Sequence, residues 1–287
     1  MQFDNKVVLV TGGSRGLGAA FTRELARAGA TVAVNNTGRD DSAAALATEL
    51  NAAGLKAFAA PGPVEEAEAL IEQVVAHAGQ LDAVVHNAGF VQDKTLRKML
   101  PEQWDAVLDV HLKSAWRLAR AAWPHFATAG AGRLVLLSSA SGLYGNFGQA
   151  NYAAAKMGLH GLSQTIAQEG AAENITCNCV APFGATSMNS TNMPDDLKLL
   201  IKPEYIAPLI AYLAHTECSE TGSFFEASGG AFKKLRWERN KGLRLDRSKP
   251  MSMADIAAGW DTLVDFSASE HPTNMRDALQ GLYDENT

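Results

Sequence analysis

The chain has 287 residues, 47% hydrophobic and 20% charged, with 25 basic against 31 acidic side chains and a formal net charge of −6. Such a chain can bury a core and is not globally disordered, and its acidic balance argues against a dedicated nucleic-acid binder, which needs a basic face. No apolar run approaches the ~20 residues of a membrane span, the polar residues 1–6 read as no signal peptide, and Cys177, Cys179 and Cys218 are too few for a disulfide framework.

Along the chain, short β-branched runs alternate with longer Ala/Leu-rich stretches at helical period. Residues 6–10 predict a buried strand, 17–28 a helix, 30–34 a second strand and 41–53 a second helix. Strands follow at 56–60, 81–86, 132–138 and 174–180, with helices over 65–78, 101–127 and 152–172 between them. Crossovers of that length imply parallel strands covered on both faces, whose inner members are continuously apolar, as 7–10 and 134–137 are. The expected architecture is α/β, a doubly wound Rossmann-type parallel sheet with its ligand crevice beyond the carboxyl ends of the strands. Composition shifts near Phe232 to the basic run Lys233-Lys-Leu-Arg-Trp-Glu-Arg-Asn-Lys241, after which 253–266 and 275–283 each read as one amphipathic helix. The chain is therefore read as a single domain, 1–232, with a C-terminal helical extension, 233–287, too short for a core of its own.

Thr11-Gly-Gly-Ser-Arg-Gly-Leu-Gly18 follows the first strand and opens the first helix. Glycines there let the backbone turn tightly against a pyrophosphate, and the helix N-terminus offers free N–H groups and partial positive charge. The second strand ends at Asn35-Asn36-Thr37-Gly38-Arg39, where an acid would ordinarily hold a bare adenosine ribose. Neutral Asn36, with Arg15 and Arg39 close by, favours a 2′-phosphate and so NADP(H), with NAD(H) as the alternative. The alternative is that Arg39 is a solvated loop residue, and Asp40 and Asp41 weaken the local positive field.

His86-Asn-Ala-Gly89 follows the fourth strand, with little side-chain bulk at Ala88 and Gly89 to keep a ribose or adenine away. Ser139 ends a strand, and Tyr152 and Lys156 are spaced to share one helical face. An ammonium beside a buried phenol is expected to lower the phenol pKa, which suits proton exchange with an alcohol or carbonyl oxygen. Cys177 and Cys179 share a strand face but have no further ligands at metal spacing, so no metal site is expected and apolar packing is.

Thr11 to Gly18, Asn87-Ala-Gly89, Ser139, Tyr152-x-x-x-Lys156 and Asn178-Cys-Val-Ala-Pro182 together resemble the short-chain dehydrogenase/reductase family, across about residues 5–232. Gly145-Asn-Phe-Gly-Gln-Ala-Asn151, Pro203-Glu-Tyr-Ile-Ala-Pro208 and Lys234-Leu-Arg-Trp-Glu-Arg239 are similar to its (3R)-hydroxyacyl-CoA dehydrogenase branch, found in peroxisomal D-bifunctional proteins. The resemblance implies that Tyr152 is the general acid/base, that Lys156 lowers its pKa and binds the nicotinamide ribose, and that Ser139 bonds the substrate oxygen. It implies a cofactor lying along Gly12, Ser14, Arg15, Gly16, Leu17 and Gly18, then Asn36, Thr37 and Arg39, Asn87, Ala88 and Gly89, Tyr152 and Lys156, and Pro182 and Gly184. His111 stands where most members carry an Asn that supports a proton relay; it reads either as a relay or as a packed core His.

Several positions depart from the pattern. Pro61-Gly-Pro63 replaces an adenine-binding Asp, and Asn36, Arg15 and Arg39 replace the Asp and glycines of the D-bifunctional branch, all three favouring a 2′-phosphate. Pro182-Phe-Gly184 interrupts the usual Pro-Gly. Met188 and Met193 flank Asn189-Ser-Thr-Asn192, which reads as a substrate lid or as an ordinary polar loop. The basic run at 233–241 reads as a solvated or intersubunit face, less as a contact for thioester phosphates, with Trp237 packed against the main domain or a partner subunit. The chain ends at Glu285-Asn-Thr287 without a Ser-Lys-Leu address, so a stand-alone cytoplasmic protein is expected.

The expected function is an NADP(H)-dependent oxidoreductase interconverting a secondary alcohol and a ketone, foremost a 3-hydroxyacyl/3-oxoacyl thioester, in a homodimer or homotetramer without nucleic-acid or membrane partners. A steroid or other bulky ketone is the alternative substrate. A non-catalytic cofactor sensor, or a lyase or epimerase with a tightly held cofactor, is the alternative class.

Overall fold

The computed structural model describes residues 1–185 and 193–283; Met188 and Asn189 to Asn192 of the expected lid, and the last four residues, lie outside them. Five buried residues form β1 (Val7–Thr11), followed by α1 (Gly16–Arg27), β2 (Thr31–Asn36), α2 (Ser42–Ala52), β3 (Lys56–Pro61), α3 (Ala67–Ala78) and β4 (Ala83–His86). Then come α4 (Pro101–Leu108), α5 (Ser114–Ala129), β5 (Gly132–Leu137), α6 (Ala140–Tyr144), α7 (Ala150–Glu169) and β6 (Ile175–Pro182). Helices α8 (Asp195–Leu200) and α9 (Ala207–Ala214) precede β7 (Phe224–Ser228) and β8 (Ala231–Leu235).

The eight strands lie in the order β3-β2-β1-β4-β5-β6-β7-β8, and every register from β3 to β7 is parallel. The order reverses between β1 and β4, whose ends pair as Thr11↔His86, so the loops after those strands diverge around a crevice. The expected doubly wound sheet is therefore present. A continuous core packs Val8, Val10, Val32, Val34, Val85 and Val135 against Phe21 and Leu25 of α1 and Ile210 and Leu213 of α9.

Three local expectations fail, each for a physical reason. The single helix over 101–127 is two helices joined by a π-turn at Asp109–Lys113. There the Ser114 hydroxyl donates to the Val110 carbonyl and the His86 ring meets the His111 carbonyl at 3.1 Å, drawing main-chain acceptors out of the α ladder. The sequence reading also stops at six strands. β7 is a short run between glycines, and β8 is an exposed edge strand carrying Lys233 and Lys234, residues that disguise a strand as a solvated tail while blocking edge-to-edge pairing. The third concerns 253–266, described below.

Arg133 of β5 is buried without a carboxylate. Its guanidinium donates to the carbonyls of Gly132 (2.9 Å), Asn174 (2.8 Å), His215 (3.2 Å) and Thr216 (2.6 Å), tying β5 to the C-terminal end of α9, whose dipole favours a cation. Replacing it by Met strands those carbonyls and should cost about 2 kcal/mol, read as a Tm lower by roughly 5 °C; an unchanged melting curve would show the pin to be dispensable.

The chain packs as two compact units that divide between Lys234 and Leu235. In the second, β9 (Arg239–Asn240) pairs antiparallel with β10 (Ser269–Glu270), and Arg239 and Lys241 both pair with Glu270. The helix expected over 253–266 is instead α10 (Met253–Ala258) and α11 (Trp260–Leu263), broken at Gly259, where a Cβ would lie 2.5 Å from Leu243. Helix α12 (Met275–Tyr283) forms as expected, and Trp237, read as packed against the main domain or a partner subunit, is 56% exposed in the single chain. No helix among the described residues is long and apolar enough to cross a membrane.

Candidate active site

A cavity of about 710 Å³ opens at the carboxyl ends of β1, β4, β5 and β6, a size typical of small-molecule sites. Gly12, Arg15, Gly16 and Leu17 line one part of it. Gly12 turns in the left-handed region (φ 58°), and a Cβ on Gly18 would fall 2.1 Å from the Gly12 carbonyl oxygen, so only glycine lets α1 begin this close to the turn. No side chain caps α1 and no acid occupies its first turn, which leaves N–H groups and partial positive charge for an anion. These residues fit the pyrophosphate of a dinucleotide.

Ser14 and Gly18 stand behind the cavity: the Ser14 hydroxyl takes a 2.9 Å hydrogen bond from Ser42, joining the turn to α2. Asn36, Thr37 and Arg39 also lie off its walls. Asn36 is buried and donates its amide to Asp40 (main-chain O 2.8 Å, Oδ1 3.2 Å) and to Ser42 (3.1 Å). Arg15 Nη2 sits 3.0 Å from Asp40 Oδ2. Asp40, expected to weaken the local positive field, does so by pairing with Arg15, and it is kept ionised chiefly by hydrogen bonds from Ser42 and further by Arg15.

Asn87, Ala88 and Gly89 line the cavity after β4. Their position is set from beneath by two residues that open the motifs but received no role of their own in the sequence, Thr11 and His86. The Thr11 hydroxyl accepts from the N–H groups of Asn87 (3.0 Å) and Ala88 (3.1 Å), so its own proton goes to His86 Nδ1 at 3.0 Å. His86 is then the Nε2–H tautomer, donating to the His111 carbonyl across the π-turn. Burial, with the Lys156 charge adding to it, lowers its pKa to about 4, so the bridge stays neutral.

The expected catalytic side chains converge. Ser139 precedes α6, Tyr152 and Lys156 rise from α7, His111 projects from the π-turn, and all four line the cavity with Pro182 at the end of β6 and Gly184 just after it. Lys156 Nζ lies 5.5 Å from the centre of the Tyr152 ring. It does not make the phenol acidic, contrary to the expectation from spacing. Its ammonium is fully buried, donates to the Leu137 carbonyl, and is pulled by desolvation down to about 7. The Tyr152 phenol stands above its ordinary value, raised first by burial and also by the Asp93 carboxylate, against a lowering hydrogen bond with Ser139.

The His111 ring meets Tyr152 edge-on, with centres 5.1 Å apart, and its Nε2 faces both the Phe90 carbonyl at 2.7 Å and the Phe90 N–H at 3.1 Å. Its Nδ1 is buried without a partner, and desolvation with the nearby Lys156 holds the ring well below its ordinary pKa. A Cβ at Gly89 would lie 2.1 Å from this ring, the tightest reason for glycine there. Asp93 and Gln149 also line the cavity; isolated polar loop residues give no sequence signal for such a role. Cys177 and Cys179 are buried with their thiols pushed up by desolvation, and no cluster of metal-ligating side chains occurs among the described residues.

A family model described as short chain dehydrogenase matches residues 6–197. The mouse peroxisomal multifunctional enzyme type 2 is 40% identical over 98% of this chain, which spans only 40% of that protein's length. A 3-oxoacyl-[acyl-carrier-protein] reductase of Staphylococcus epidermidis is 36% identical over 79% of this chain and 99% of its own. The structure of full-length peroxisomal multifunctional enzyme type 2 from Drosophila melanogaster superposes with a TM-score of 0.87 at 35% identity, covering 99% of this chain and 50% of that one.

Proposed function

The chain belongs to the short-chain dehydrogenase family, oxidoreductases of CH–OH groups, and on that premise we propose that it interconverts a 3-hydroxyacyl and a 3-oxoacyl thioester with NADP(H). The observation that carries the reading is the single cavity lined by the glycine turn together with Ser139, Tyr152 and Lys156. A nicotinamide dinucleotide held by the turn, by Asn87 to Gly89 and by Lys156 would supply the hydride for the carbonyl carbon, or accept it from the carbinol. Ser139 donates to the substrate oxygen, and Tyr152 passes its phenolic proton to that oxygen as negative charge develops. The raised phenol pKa keeps that proton in place at neutral pH, so the residue is loaded for reduction. The name of the Staphylococcus relative supports a 3-oxoacyl thioester as the substrate class. The retained Ser139, Tyr152 and Lys156 argue against a cofactor sensor that has lost chemistry. Assembly as a homodimer or homotetramer belongs to the same proposal, supported by an apolar groove of Leu108, Leu112 and Leu162 that leaves Trp116 45% exposed.

Steady-state reduction of 3-oxoacyl-CoA thioesters and of steroid ketones, each with NADPH and NADH, tests the reading; turnover of the steroids alone would replace it. The NADP(H) part rests on Asn36 and on Arg15 and Arg39, with Arg15 exchanging Asp40 for a more highly charged phosphate. Replacing both arginines by Ala should lower the NADPH/NADH ratio of kcat/KM by roughly 10- to 100-fold, and an unchanged ratio would remove the phosphate assignment.

A further inference from the structure

Resting on that reading, we propose that Asp93, held in place by Gln149, makes the site refuse free 3-oxo acids and accept acyl groups whose carboxyl is masked as a thioester or ester. Asp93 lines the cavity in the loop after β4 and forms no ion pair with any described residue. Gln149 Nε2 lies 3.1 Å from each carboxylate oxygen, while its Oε1 accepts from Ser141 Oγ (2.9 Å) and Asn146 Nδ2 (3.0 Å). The amide cannot turn over: its oxygen would face a carboxylate and its NH₂ would face the Asn146 NH₂. A main-chain bond from Lys94 N to the Gly148 carbonyl at 2.8 Å ties the two loops together, so the carboxylate is built in rather than left free to swing away.

Its charge is felt at the chemistry, because Asp93 is one of the groups that raise the Tyr152 phenol pKa. The cations on the cavity wall are engaged by other partners: Arg15 belongs to the glycine turn and is paired with Asp40, and the Lys156 amine donates to the Leu137 carbonyl. In a 3-oxo acid the carboxylate is separated from the reacting carbonyl by a single carbon. Seating that carbonyl against Ser139 and Tyr152 therefore brings a second negative charge into the field of Asp93 at the exposed mouth of the cavity. A thioester or ester carbonyl carries no net charge and escapes that cost. Specificity here comes from repulsion of the wrong substrate as much as from contacts to the right one.

The test compares ethyl acetoacetate with acetoacetate as substrates, with NADPH, for the wild-type enzyme, Asp93→Asn and Asp93→Lys. Asn keeps an acceptor for Gln149, and the thermal melting curve, with NADPH binding, reports that each variant is folded. The wild-type ester/acid ratio of kcat/KM should fall about 10-fold in Asp93→Asn and further in Asp93→Lys, and it should also fall in the wild type as salt is raised. A ratio that stays put in both variants and is insensitive to salt overturns the inference while leaving the proposed function standing. Turnover of neither compound, nor of any 3-oxoacyl thioester, removes the proposed function and this inference with it.

Discussion

Tyr152→Phe should lose at least about 10³-fold in kcat, in both directions, while binding NADPH with near wild-type affinity. In the proposed reading the hydroxyl is the group that exchanges a proton with the substrate oxygen, and the Ser139 hydroxyl, its hydrogen-bond partner, has no reason to ionise in its stead. The ring itself packs edge-on to His111 and beneath the Lys156 amine, contacts that Phe preserves. Fluorescence titration with NADPH beside stopped-flow reduction separates the two effects, and full turnover in the variant would take Tyr152 out of the mechanism. The pH dependence follows from the same group. Because the free phenol sits above its ordinary value, reduction should hold level through neutral pH and decline only as the phenol ionises. Oxidation needs the phenolate and should rise with pH over the same range; a reduction rate that peaks in acid and is lost by neutrality would contradict this.

Gly18→Ala should have a comparable effect through binding rather than chemistry. The added Cβ would lie 2.1 Å from the Gly12 carbonyl oxygen and 2.7 Å from Asn87 Nδ2. Neither atom is free to move: the Asn87 amide donates to the carbonyls of Thr11 (3.2 Å) and Gly12 (3.1 Å), and Gly12 N meets Asn35 Oδ1 at 3.3 Å. The turn must shift by about an ångström, and a displacement of that size at a binding surface costs about 100-fold. The expected result is weaker NADPH and NADH binding alike by calorimetry, with a lower Tm. An unaltered dissociation constant would mean that the dinucleotide does not lie on this turn.

The parts of this protein that were readable in one dimension are those whose cause is local. Continuous apolar runs at 7–10 and 134–137 can be buried on both faces only as inner strands of a parallel sheet, and the turn from Thr11 to Gly18 needs glycines wherever it occurs. Helical spacing likewise put Tyr152 and Lys156 on one face of α7, and both line the cavity. The parts that were not readable have distant causes. The π-turn exists because His86, Ser114 and Val110 compete for main-chain groups that a helix would otherwise use, and β8 because an edge strand tolerates lysines that an inner strand does not.

The protonation states divide along the same line. The sequence by itself determined that Tyr152 and Lys156 share the site beyond the strand ends, because helical period places them together. The tertiary structure alone decided their charges. Desolvation draws Lys156, which donates to the Leu137 carbonyl, down to about 7, burial first and then Asp93 from another loop hold the phenol up, and Asp40 pairs with Arg15. Burial and the field of non-neighbouring charges are sums over the folded volume, and neither has a counterpart in the order of residues along the chain.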